Sequence, residues 1–215
     1  MIIFVASRVK EGVYGNSMKI KVPVVCLDRQ IYVPGSDRVV LDQLWEAYNI
    51  TKHLIERGHK RIAHIAGPSD YLTAQVRKEG YTKALIENNI RLIQRLIVEG
   101  DYSAESGRMV MEQLFKLEYK HTAVFATNDL MALGWGAMDS IRRKGLNISD
   151  DIAIAGFNDI PFASLYAPSL TTVSQHTFQM CSLAIQMIID RLTGNFSMES
   201  CEAILQPTIV IREST

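Results

Sequence analysis

The sequence predicts an α/β fold in which a parallel sheet carries helices on both faces. Three observations lead there. From Arg61 onward, short unbroken apolar runs such as RIAHIAG and TAVFAT alternate with helical stretches. Strands buried on both faces read as continuous apolar runs, whereas half-exposed strands alternate. The runs also end in polar pairs, Asn128-Asp129 and Asn158-Asp159 among them, where open parallel sheets bind ligands.

The elements follow in order. IIFVA and VPVVCLD read as buried strands, with residues 13–21 connecting them. Residues 41–57 form an amphipathic helix ended by Gly58. RIAHIAG is a strand closed by Gly67-Pro68, and residues 72–88 have helical periodicity with Val76, Tyr81, Ala84 and Leu85 on one face. Residues 96–98 are a short strand. Ser103, with Ser106 three residues on, caps a helix running to about Leu117. Residues 123–126 are a strand and residues 129–144 one helix, closed by Gly145. Residues 152–157 are a strand, and residues 178–192 a helix ended by Gly194. Residues 202–212 read as a final strand pair broken by Pro207. Right-handed crossovers then restrict the topology.

Composition excludes several functions. Lys+Arg and Asp+Glu both count 23, so the chain lacks the basic excess of a domain that holds nucleic acid by itself. The basic run Arg142-Arg143-Lys144 closes a helix, where it complements the helix dipole. Cys26, Cys181 and Cys201 are widely spaced and form no redox or metal motif, which fits a reducing, cytoplasmic setting. The five histidines lack zinc-ligand spacing, and neither a nucleophile elbow nor a P-loop is present. Gly134-Trp135-Gly136 falls inside a helical stretch, where it reads as helix packing and not as a dinucleotide turn. His64, within an apolar strand, reads as a satisfied core or rim residue. No enzyme, metal, cofactor or membrane span is expected.

Parallel strands place their carboxyl ends on one rim, so the groups that follow them should converge. These are Asp28-Arg29, Ser69-Asp70, Asp101-Tyr102, Asn128-Asp129 and Asn158-Asp159. Each pair alone reads equally as a helix cap or Asx-turn. Together they offer carboxylates, amides and an aromatic face, suited to a small polyhydroxyl or heterocyclic ligand. Arg77, on the helix after Ser69, is either a solvated residue or a bidentate donor at this rim.

The chain resembles the effector-binding core of LacI/GalR-type transcription regulators, which share the periplasmic-binding-protein fold. VPVVCLDR, HLIERGHKRIAHIAGP, EGDYSAESG, TAVFATNDLMALG, ISDDIAIAGFNDIPFASLYAPSLTTVSQ and LQPTIVIREST carry the resemblance in order, from about Pro23 to the end. It implies two lobes joined by crossing strands, with effector between them. The N-terminal lobe would be residues 1–40 and 177–204, and the C-terminal lobe residues 41–176 and 205–215. It implies effector contacts from Asp28, Arg77, Tyr102, Asn128, Asn158 and Gln175, with Ser69 a further candidate. Asn158 stands where the family usually has Asp, which replaces an acceptor-only group by one that also donates.

The resemblance further implies a cytoplasmic homodimer that senses a sugar-like or nucleobase-like effector. It would reach operator DNA only through a helix-turn-helix head. A soluble substrate-binding protein of a sugar transporter is the alternative. Family members begin with that head, a hinge helix and the first strand-helix units, none of which precedes Met1. The expectation is therefore a truncated chain with an incomplete N-terminal lobe, its IIFVA edge covered by another chain or by rearranged segments.

Overall fold

The structure, a computed structural model, describes residues 2–4, 22–27, 35–118, 120–194 and 200–215. In chain order its elements begin with strands β1 (Ile2–Phe4), β2 (Val24–Leu27) and β3 (Asp37–Leu41) and helix α1 (Gln43–Glu56). Then come β4 (Ile62–Ala66), α2 (Leu72–Glu87), a 3-10 turn (Gln94–Leu96), β5 (Ile97–Glu99) and α3 (Ala104–Phe115). They continue with β6 (Ala123–Ala126), α4 (Asp129–Ala132), α5 (Ala137–Arg143), β7 (Ala153–Ala155), α6 (Phe162–Leu165) and β8 (Thr172–Ser174). The last are α7 (Thr177–Leu192), β9 (Glu202–Leu205) and β10 (Thr208–Val210). The chain divides into two compact units, one of Met1–Asp42 with His176–Pro207, the other of Gln43–Gln175 with Thr208–Thr215.

The first unit holds a parallel sheet in the order β1-β2-β3-β9. Helix α7 buries Met180, Ala184 and Ile188 against Val25, Leu27, Val39 and Leu41. Strand β3 is absent from the sequence reading, because it opens on Asp37 and Arg38. Asp37 is nevertheless fully buried. Arg191 on α7 donates Nε–H and Nη2–H to its two carboxylate oxygens at 2.6 Å, and the Cys201 N–H adds a bond at 2.8 Å. A buried carboxylate persists only with such compensation. Asp28 and residues 13–21 lie outside the described residues. Within those residues β1 is an outer strand.

The second unit is built on a parallel sheet in the order β5-β4-β6-β7, and it bears out the predicted α/β class. Strand side chains alternate between two apolar layers. Ala63, Ile65, Val124, Ala126 and Ile154 face α3 and α5 residues such as Met111, Leu114 and Ile141. Ile62, Ala123, Phe125 and Ala153 face Ala47, Ile50 and Leu54 of α1 and Tyr81 and Leu85 of α2. Every residue of β4 and β6 is buried, which is why both read as unbroken apolar runs. Ser103 caps α3 as expected, its hydroxyl accepting from the Ser106 N–H at 3.1 Å.

One element prediction is corrected. Residues 129–144 are not one helix: α4 ends at Ala132, and Leu133 turns to an extended conformation with ψ of 175°. Gly134-Trp135-Gly136 forms this break and is not interior to a helix. A Cβ at Gly136 would lie 2.2 Å from the Met131 carbonyl oxygen, and one at Gly134 would lie 2.7 Å from the Tyr166 ring. The final strands are divided at Pro207, as expected. β9 pairs parallel with β3 in the first unit, and β10 pairs antiparallel with β8 in the second, on either side of Pro207.

Gly80 lets α2 pack tightly on α1. A Cβ there would lie 2.4 Å from the Leu44 carbonyl oxygen and 2.8 Å from the Ala47 Cβ. Gly80→Ala gains about 0.5–1 kcal/mol of helix propensity but forces the helices apart, at a cost of about 1–3 kcal/mol. The clash outweighs the propensity gain, because backbone on the α1 side cannot rotate away. A net loss is expected in urea denaturation, and unchanged stability would refute the close packing.

Candidate functional site

The carboxyl ends of β4, β6, β7 and β8 form a polar rim in the second unit. Arg77 is its central side chain. It projects from α2 and is only 5% exposed. Its Nε–H donates to Gln43 Oε1 at 2.9 Å and its Nη1–H to the Thr127 carbonyl oxygen at 2.7 Å. Its guanidinium carbon sits 3.8 Å from the centre of the Phe157 ring. One cation therefore ties α1, α2, the end of β6 and the end of β7 together.

Asn128 follows β6 and caps α4, accepting from the Met131 N–H at 2.9 Å. Its Nδ2–H donates to the Tyr102 carbonyl oxygen at 2.9 Å, which fixes the Tyr102 loop. The Tyr102 ring packs on the backbone of Gly67, where a Cβ would lie 2.5 Å from it. It also meets the Tyr71 ring edge-on at 5.4 Å, and its hydroxyl lies 3.5 Å from Thr73 Oγ1. Asp129, fully buried, accepts from the Thr172 hydroxyl at 2.5 Å and the Ile160 N–H at 2.9 Å. Burial pushes its carboxyl above the usual carboxylate range, against these hydrogen bonds.

Asn158 follows the end of β7. Its N–H donates to the Val173 carbonyl at 2.9 Å, and it bridges to Ser174, one residue before Gln175. Tyr102, Asn158 and Asp159 have φ of 72°, 118° and 52°, a backbone region that non-glycine residues rarely occupy. Such strain concentrates at binding sites. Ser69 is exposed on the loop after β4, where its carbonyl accepts from Gln75 Nε2 at 2.7 Å.

The structure thus brings Arg77, Tyr102, Asn128 and Asn158 together through Thr127 and Phe157, with Gln175 adjoining and Ser69 at the periphery. Two acidic groups read as rim ligands are engaged elsewhere. Asp159 pairs with Arg212 at 2.7 Å. Asp101 takes hydrogen bonds from Ser103 and Ser106, which hold its carboxyl down at about 2. Gln43, Thr127 and Phe157 were missed, since only the fold places them beside Arg77. A cleft of about 670 Å³ runs along α2 and β5 and includes Ser69, but none of the other rim side chains. Its wall mixes Lys78 and Lys83 with Glu79 and Glu87, an ordinary solvated helix face without convergent groups. Among the described residues no cluster of His, Cys, Asp or Glu could hold a metal ion, and no helix is long and apolar enough to cross a membrane.

Residues 51–215 match the periplasmic binding protein-like domain family. The chain is 34% identical over 194 residues to the HTH-type transcriptional repressor PurR of Mannheimia succiniciproducens, an alignment covering 89% of this chain and 57% of that protein. It therefore spans little more than half the length of such relatives. A transcriptional regulator CelR–cellobiose complex is similar in structure, with a TM-score of 0.80 and 31% identity over 90% of this chain and 59% of that one. The Escherichia coli transcriptional repressor AscG gives a TM-score of 0.81 and 30% identity over 90% of this chain and 69% of that one.

Proposed function

Because this chain belongs to the periplasmic binding protein-like family, within its LacI-type regulators, we propose that it is the effector-sensing, dimerising core of a cytoplasmic transcriptional repressor. Residues 1–40 with 177–204 and residues 41–176 with 205–215 are its two lobes. The observation that carries the sensing role is the rim itself: a buried Arg77, two amides, an aromatic ring and three strained backbone positions at the ends of parallel strands. No covalent chemistry is assigned to it, and the protein is not an enzyme.

The effector is a small sugar-like or nucleobase-like molecule contacted by Ser69, Arg77, Tyr102, Asn128, Asn158 and Gln175. A relative solved with cellobiose supports the sugar class. The transporter reading is set aside, because the similar proteins are repressors and regulators. Effector binding shifts the balance between conformations, and operator DNA is engaged through a helix-turn-helix domain of the whole protein. A thermal-shift screen against mono- and disaccharides and nucleosides tests this. A ligand at ~100 times its Kd adds roughly 2.7 kcal/mol, and hence about 5–10 °C for a chain of this size. A panel without any stabilising compound would count against the proposal.

Dimerisation uses the face bearing Leu130, Trp135, Phe162 and Leu165, which are 50%, 83%, 66% and 77% exposed. Gly134 packs against Tyr166 and so sets the Trp135 turn beside α6. Exposed apolar groups of this size mark an association surface. Trp135→Glu should convert a dimer into a monomer in sedimentation velocity, and a variant that remains dimeric would place the interface elsewhere.

A further inference from the structure

The loop after β7 carries two successive non-glycine residues at positive φ, Asn158 at 118° and Asp159 at 52°. Such backbone relaxes to negative φ unless groups outside the loop hold it. The Gly156 and Asn158 N–H groups donate to the Thr171 and Val173 carbonyls of the neighbouring strand, both at 2.9 Å. The N–H groups of Asp159 and Ile160, which follow the strained pair's first residue, converge instead on one buried acid.

That acid is Asp129, fully buried at the start of α4. Its Oδ2 accepts directly from the Ile160 N–H at 2.9 Å. Its Oδ1 accepts from the Thr172 hydroxyl at 2.5 Å. With its proton committed to Asp129, the Thr172 oxygen accepts from the Asp159 N–H at 3.4 Å. The Asp129 N–H in turn donates to the Phe157 carbonyl at 2.9 Å. Gly156 permits this close approach, since a Cβ there would lie 2.3 Å from Asp129 Oδ1. None of these bonds uses the Asn158 side-chain amide.

We propose that Asp129 is a positioning residue of the effector rim: through Ile160 and the Thr172 hydroxyl it holds the Asn158 and Asp159 backbone at positive φ, and so aims the Asn158 amide at the effector. The role requires a carboxylate, because both oxygens accept at once. An amide of the same shape turns N–H groups toward one of the two donors, which then loses its partner. Asp159 cannot take over, being paired with Arg212 at 2.7 Å. The aim toward an effector rests on the function proposed above, whereas the loop conformation is a property of the free protein.

Backbone NMR of the free protein tests this, since positive φ shortens the HN–Hα distance within a residue and strengthens its Overhauser signal. Asn158 and Asp159 should both show the strong signal in the parent protein. In Asp129→Asn both should weaken to the level of ordinary residues, while Asn89 and Ser149, at φ of 55° and 79° on other loops, keep theirs. Thr172→Val should reproduce the loss, and Thr172→Ser, which retains the hydroxyl, should not. A compound found in the thermal-shift screen should bind Asp129→Asn roughly tenfold more weakly. Strong Asn158 and Asp159 signals in folded Asp129→Asn and Thr172→Val would overturn the proposal. So would a loss shared by Asn89 and Ser149, which marks general loosening, or an effector affinity that Asp129→Asn leaves unchanged. A screen without a hit, with the loop signals as expected, would remove the effector reading and leave the hold of Asp129 on the loop standing.

Discussion

Lowering the pH from 6.5 to 4.5 is expected to cost the second unit on the order of 5 kcal/mol of stability. Two buried histidines cause this. His64 is fully buried, stacked between the Tyr81 and Phe125 rings at 4.8 and 4.9 Å, with its Nδ1 3.0 Å from the Phe125 carbonyl oxygen. Burial pulls its pKa from 6.5 to about 4, although the Phe125 carbonyl opposes the shift. Burial does the same to His121. In the unfolded chain each ring takes up a proton near 6.5, but in the folded chain only near 4. Between those values the unfolded state binds more protons, so stability falls as the pH falls.

Asp129 acts in the opposite sense. Its raised pKa makes the folded state bind the extra proton, which offsets part of the loss just above the ordinary carboxylate value. Two histidines outweigh one partly compensated acid. Since whole domains have only about 5–15 kcal/mol to lose, the second unit should approach unfolding near pH 4.5. Urea midpoints across this range test the expectation, and His121→Leu should flatten the slope by about half. A midpoint that is constant from pH 6.5 to 4.5 would mean that these rings are solvated in the folded protein.

Arg77→Ala should have the second large effect, on stability and sensing together. It leaves Gln43 Oε1 and the Thr127 carbonyl without their charged donor and uncovers the Phe157 ring. Hydrogen bonds to charged groups contribute about 1.5–3 kcal/mol each, so a loss of about 3 kcal/mol or more is expected. That corresponds to roughly 6–12 °C in Tm for a chain of this length. The stabilisation by any effector found in the screen should also vanish. Arg77→Lys separates the two roles: it keeps the charge but lacks the planar fork. It should recover part of the stability without restoring effector binding. Full effector stabilisation in a folded Arg77→Ala protein would remove Arg77 from the site.

Much of the rim was legible in the sequence because it follows from local rules. Strand ends in a parallel sheet share an edge, so Tyr102, Asn128 and Asn158 could be placed together from their positions after apolar runs. Arg77 was visible as a candidate, but its partners were not. Gln43 lies 34 residues away and the Thr127 carbonyl 50. The engagement of Asp159 by Arg212 was hidden for the same reason. His121 showed nothing in sequence, since its burial without a hydrogen-bond partner among the described residues is a property of the fold.

Periodicity and capping sufficed for the α/β class, the buried strands β4 and β6 and the Ser103 cap of α3, because these depend on neighbours a few residues apart. Family resemblance carried in dense motifs pointed to a regulator core. Only the tertiary structure decided that Asp37 begins a strand, through Arg191 154 residues away. Only it opened a break at Gly134-Trp135-Gly136, where Met131 and Tyr166 leave no room for side chains. The physical reason is common to both. Burying a charge or bringing backbones into close approach is favourable only with a particular partner, and that partner is supplied by folding and not by sequence proximity.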